Sequence, residues 1–172
     1  MKNKLFFALC ASLSFSTGIF AGQPGEPYHG SAEFERMKSL AGTWKGSHDL
    51  GQGPMDLTVE YRVVAAGSAV EERFFAGTPM EMITMYRDAG GKLSLTHYCM
   101  LHNQPGMVLK SAKENSLHFD FDPTCGVDKK SMHMHSLVIT FDGPDHISQD
   151  WKLFENGKQK ESHPFELKRV KT

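Results

Sequence analysis

The sequence is short of cysteine, of net charge and of long apolar runs. Three cysteines occur in 172 residues, and one of them, Cys10, sits in the N-terminal segment. Cys99 and Cys125 remain, so the folded portion can hold at most one intrachain bridge. Such a bridge would stabilise by about 3 kcal/mol if unstrained; the alternative is a ligating or reactive thiol at Cys99. Charge is close to balance, 19 Lys+Arg against 20 Asp+Glu, which speaks against a strongly basic nucleic-acid surface. No heptad run, internal repeat or low-complexity tract is present, so coiled coils and solenoids are disfavoured. Enzyme signatures are missing too: there is no Gly-x-Ser-x-Gly elbow, phosphate-cradling glycine loop or His-Glu-x-x-His helix.

What is present begins with a delivery signal. Lys2 and Lys4 precede an apolar stretch, Leu5 to Phe20, followed by the small residues Ala21 and Gly22. Charge, then apolar, then small is the order of a secretory signal peptide over residues 1–22. A spanning helix needs about 20 apolar residues, whereas this stretch is shorter and broken by serines, Thr17 and Gly18. Cys10 follows Leu9, where a lipoprotein box wants a small residue. No later segment is apolar enough to span a bilayer. Removing Lys2 and Lys4 leaves 17 basic against 20 acidic residues, a formal charge of −3. The expectation is an exported protein, periplasmic or secreted, with a Pro/Gly-rich flexible lead-in over 23–30 and one domain over 31–172.

Within that domain Phe34, Met37 and Leu40 recur at helical spacing behind Ser31, a candidate N-cap. From Gly42 the period changes to two. Ten strands are predicted between there and Val170, separated by turn chemistry such as Asp88-Ala89-Gly90-Gly91 and Asn156-Gly157. Short strands joined mostly by hairpins predict an all-β antiparallel up-and-down barrel or a sandwich. Full closure removes exposed edges, and a barrel of eight to ten strands can hold one small ligand.

The run Leu40-Ala41-Gly42-Thr43-Trp44-Lys45-Gly46, a short helix feeding Gly-x-Trp into the first strand, resembles the calycin superfamily of lipocalins, fatty-acid-binding proteins and nitrobindin-like haem barrels. The lipocalins' later signature motifs are absent. The resemblance implies that Trp44, entered through Gly42, closes the barrel floor against a basic side chain of the last strand, Lys168 or Arg169. Thr96-His97-Tyr98-Cys99, Asn103-Gln104-Pro105 and His133-Met134-His135 resemble an uncharacterised family of exported bacterial calycin-like proteins. That likeness implies a fold and a pocket, without established chemistry.

Alternation assigns the candidate site. Leu93, Leu95, His97 and Cys99 share one strand face, and His133, His135, Leu137, Ile139 and Phe141 another. Gln149 shares a face with Ile147, Trp151 and Leu153, and Glu72 with Val70 and Phe74. If the aliphatic faces turn inward, His97, Cys99, His133 and His135 enter the interior with Tyr86 and Thr84. Buried imidazoles need partners, and three explanations are open. One is a hydrogen-bonded polar layer of histidines with Tyr86, Gln149 or Thr84. The second is recognition of a small, mostly apolar ligand, with Asn103 and Gln104 at the pocket mouth and Glu72 as an acid/base candidate. The third is a metal or haem held by His97, His133 and His135, with Cys99 completing the set. Met132 and Met134 flank the histidines as copper ligands would, but strict alternation places them on the opposite face, where they read as apolar filler. A small enzyme with a histidine base ranks behind these.

Overall fold

A computed structural model describes residues 26–49, 53–88 and 90–171; the segment read as a signal peptide lies outside them. Helix α1 (Ala32–Lys38) is followed by β1 (Gly42–Asp49), β2 (Pro54–Val64), β3 (Ala69–Phe74), β4 (Met82–Asp88) and β5 (Leu93–Tyr98). β6 (Gly106–Lys113), β7 (Ser116–Phe121), β8 (His133–Phe141), β9 (His146–Glu155) and β10 (Lys158–Arg169) complete the series. Each strand pairs antiparallel with its sequence neighbours, and β1 pairs with β10, which closes the barrel. The predicted fold class is therefore the observed one.

Local chemistry explains the elements. Ser31 caps α1 by accepting a hydrogen bond from the Phe34 amide, and Phe34 and Met37 are the buried face. Between β9 and β10, Asn156 and Gly157 both take positive φ, 53° and 73°, the requirement of a type I′ hairpin turn. Alternation is clear in β9, where Ile147, Gln149, Trp151 and Leu153 are buried and their neighbours are not.

α1 closes one end of the barrel. Trp44 beside it is fully buried, donates its indole N–H to the Leu40 carbonyl at 2.8 Å and lies beneath the Arg169 guanidinium, 4.3 Å from the ring centre. Arg169 also donates to the carbonyls of Ala41 and Ser39, so one side chain ties the last strand to the helix exit. Gly42, with φ of 130°, leaves room for that guanidinium, since a Cβ there would lie 3.1 Å from its Nη1. The lead-in is docked at Tyr28 rather than free: its amide donates to the Ala66 carbonyl, its hydroxyl to that of Asp88, and Lys38 caps its own carbonyl.

β1 approaches β10 closely because position 46 is glycine; a Cβ there would lie 2.1 Å from the Glu166 carbonyl oxygen. Backbone cannot yield as a flexible side chain would. Gly46→Ala is accordingly expected to cost about 1–3 kcal/mol, read as a lowered Tm in thermal unfolding followed by circular dichroism.

Candidate functional site

The barrel interior holds a polar layer at mid-height. Tyr61, Glu72, Thr84 and His97 lie on four successive strands and are direct cross-strand partners, Tyr61 with Glu72, Glu72 with Thr84 and Thr84 with His97. All four are buried. Tyr61 donates its hydroxyl to Glu72 Oε1 at 2.5 Å and Tyr86 donates to Oε2 at 2.7 Å. From across the barrel, Gln149 Nε2 donates to Glu72 Oε1, and Gln149 Oε1 accepts the Trp151 indole N–H at 2.7 Å. Thr84 adjoins the same carboxylate as its cross-strand partner.

Burial pushes the Glu72 pKa up, against the pull of its hydrogen-bond donors. Burial first, and then the nearby Glu72 charge, hold the Tyr61 and Tyr86 phenols well above their ordinary value. Tyr61, Tyr86 and Gln149 all present hydrogens to Glu72, so the shell is built around an acceptor.

His97 extends the layer, its Nδ1 lying 2.9 Å from Thr84 Oγ1. Nε2 is buried without a hydrogen-bond partner. Desolvation lowers the His97 pKa to about 4, so the ring is neutral near pH 7.

Beyond the polar layer, at the end away from α1, the interior widens into a cavity of about 210 Å³ that His97 lines. Trp151 lies 4.7 Å from the His97 ring; Phe74 lies 6.2 Å from Trp151 and 5.4 Å from Phe165. Met82 and Met134 add thioethers to the wall, while Met100 and Leu101 line it near the surface and are exposed. Cys99 also faces the cavity, and burial raises its thiol pKa, the mark of an unreactive thiol.

Two cavity histidines escaped the sequence reading, His48 and His163. The signal was available: His48 alternates with Trp44 and Gly46, and His163 with Phe165 and Leu167. The His48 ring lies 4.3 Å from Phe165 and 5.7 Å from His163. Its Nε2 is buried and unpartnered. Desolvation, then the neighbouring His163, lower its pKa.

The expected convergence of His97, His133 and His135 is corrected. A β-bulge between Met134 and Ser136 inserts one residue into β8, which moves the preceding side chains to the other face. Met134 then stands opposite Leu153 on the cavity side, and neither His133 nor His135 lines the cavity. The two histidines form a separate cluster. His133 donates Nδ1–H to the Ser131 carbonyl and accepts from His135 Nδ1 at 3.0 Å. His135 lies between the rings of Phe121 and Phe154, 3.5 Å from Asp120. Among the described residues no three His, Cys, Asp or Glu side chains are placed to share a cation.

Other expectations are corrected likewise. Cys99 and Cys125 are unpaired thiols; Cys99 faces the cavity, whereas the Cys125 side chain lies against Gly106. Asn103 does not line the cavity but fastens its loop, donating to the Met132 carbonyl at 2.8 Å, and Gln104 is exposed. Tyr86, Gln149 and Glu72 sit in the polar layer below the cavity rather than in its lining.

Neither a scan of protein families nor a search of curated proteins finds a match to this chain. Solved structures do resemble it. Rv2717c from M. tuberculosis aligns with a TM-score of 0.56 at 13% identity, over 83% of this chain and 100% of that one. A protein of unknown function from the DUF3598 family of Nostoc punctiforme aligns with a TM-score of 0.53 at 11% identity. The second alignment spans 78% of this chain and 49% of that one. The likeness is one of fold.

Proposed function

We propose that the protein is an exported, calycin-like barrel that binds a small apolar or amphipathic molecule anchored by His97. One observation carries this reading: a neutral imidazole whose buried Nε2 has no partner, which we read as an acceptor, beside a cavity walled mostly by aromatic rings, thioethers and aliphatic side chains. A buried lone pair left unpaired costs about 1–3 kcal/mol, so a ligand that brings a donor regains what the empty site forgoes. The cavity volume sets the ligand's scale, since a cavity of about 150 Å³ holds benzene. The depressed His97 pKa suits an acceptor over a general base, which works best with a pKa near the operating pH. Export rests on the N-terminal order of charge, apolar stretch and small residues.

Isothermal titration with p-cresol and toluene tests the anchor, because the two differ by one hydroxyl. The wild type is expected to prefer p-cresol by about tenfold, the equivalent of about 1.4 kcal/mol, and His97→Leu to bind the two alike. Binding of neither probe by the wild type, or a preference that survives in His97→Leu, would overturn the reading.

A further inference from the structure

The cavity has an outer vestibule, and the charges of the two are one-sided. A second hollow of about 530 Å³ adjoins the cavity and shares His48, Glu161 and His163 with it. Among the described residues lining either space, Glu161 and Asp49 carry the carboxylates, His163 Nε2 lies 3.5 Å from Glu161 Oε2, and no Lys or Arg is present. An anionic ligand head would therefore meet carboxylates and bare imidazole lone pairs on the way in. A cation would meet attraction at each of them.

The polar atoms ask for donors at two levels. His97 Nε2, deep beside Trp151, and His48 Nε2, where cavity and vestibule meet, are both buried and unpartnered. His97 already uses its other nitrogen within the protein, 2.9 Å from Thr84 Oγ1. Both rings are held below their ordinary pKa by burial, so neither supplies a positive charge at neutral pH. Between the two levels stand Phe74, Trp151 and Phe165, whose ring faces attract an ammonium group as well as an aromatic ring.

We propose that the occupant is a small aromatic amine, its ring against Trp151 with a ring hydroxyl or N–H on His97 Nε2, and its ammonium group between His48 and Glu161. This rests on the binding reading above and specifies the ligand's chemical class. The volume admits one ring and a short chain, and the acidic vestibule sets the orientation, cationic end outward.

Titration of the purified protein with matched probes tests it: tyramine against 4-hydroxyphenylacetate, with neutral p-cresol as reference. Tyramine is expected to bind at least about tenfold more tightly than the carboxylate. In Glu161→Gln, an exposed position, that advantage is expected to shrink severalfold, read as a fall in the ratio of tyramine to p-cresol affinity. Equal or tighter binding of the carboxylate, or a tyramine advantage indifferent to Glu161→Gln, would overturn the amine assignment while p-cresol binding left the pocket reading standing. Failure of all three probes would overturn both.

Discussion

Glu72→Ala is expected to lower stability by about 3–5 kcal/mol, about 10 °C in Tm for a chain of this size. The substitution removes an acceptor that Tyr61, Tyr86 and Gln149 all share. Each buried donor stranded in this way costs about 1–3 kcal/mol, and the lost side-chain volume adds a cavity term. The sum falls short of three full penalties. Tyr61 and Gln149 still bond each other, and the desolvation cost that raises the Glu72 pKa is recovered when the carboxyl goes. Glu72→Gln keeps the volume and one acceptor oxygen, so its loss should be roughly half as large or less. Chemical denaturation of both variants would check the ordering; equal losses would show that shape, and not the donor network, is what Glu72 supplies.

The fold was more legible than the site. Period-two alternation located all ten strands to within a few residues, because each buries one face of a closed wall and its pattern is physically forced. The same alternation put Glu72, Thr84, His97 and Trp151 on inward faces. It failed at β8, where a single inserted residue reverses parity and carries no side-chain signature of its own. Met134 was thus assigned away from the interior and His133 and His135 toward it. Pairing geometry decides such a reversal, since the extra residue is visible only against the partner strand. The polar layer was out of reach for a related reason: only the register of four strands brings Tyr61, Glu72, Thr84 and His97 side by side.

The polar layer and the cavity form one device. Glu72 and Thr84 are cross-strand partners, and Thr84 Oγ1 lies 2.9 Å from Nδ1 of His97, whose ring borders the cavity. Gln149, ordered by the same carboxylate, holds the Trp151 indole that forms the wall beside it. On the binding reading proposed above, a ligand anchor placed this way would cost little reorganisation on binding, because the imidazole is already held in place, and Glu72 would be a positioning residue for a site that it does not line.

Acidification should reveal His97 in the stability curve. Its ordinary pKa of 6.5 is lowered to about 4 in the fold, so between those values the unfolded chain binds a proton that the folded protein refuses. Stability then rises with pH across the window and is lost as pH falls through it, by about 3 kcal/mol for the full shift. His48 and His135, both lowered chiefly by burial, act in the same direction. Glu72 acts oppositely: with its folded pKa above 4.5, its contribution is complete at lower pH and is lost as pH rises through the folded value. Denaturant titrations at pH 7, 6, 5 and 4.5 would separate them. His97→Gln removes one titration and should shrink the acid loss by most of its share, whereas Glu72→Gln should deepen it. An acid loss unchanged in His97→Gln would mean that the His97 ring takes up its proton in the folded barrel as readily as in the unfolded chain.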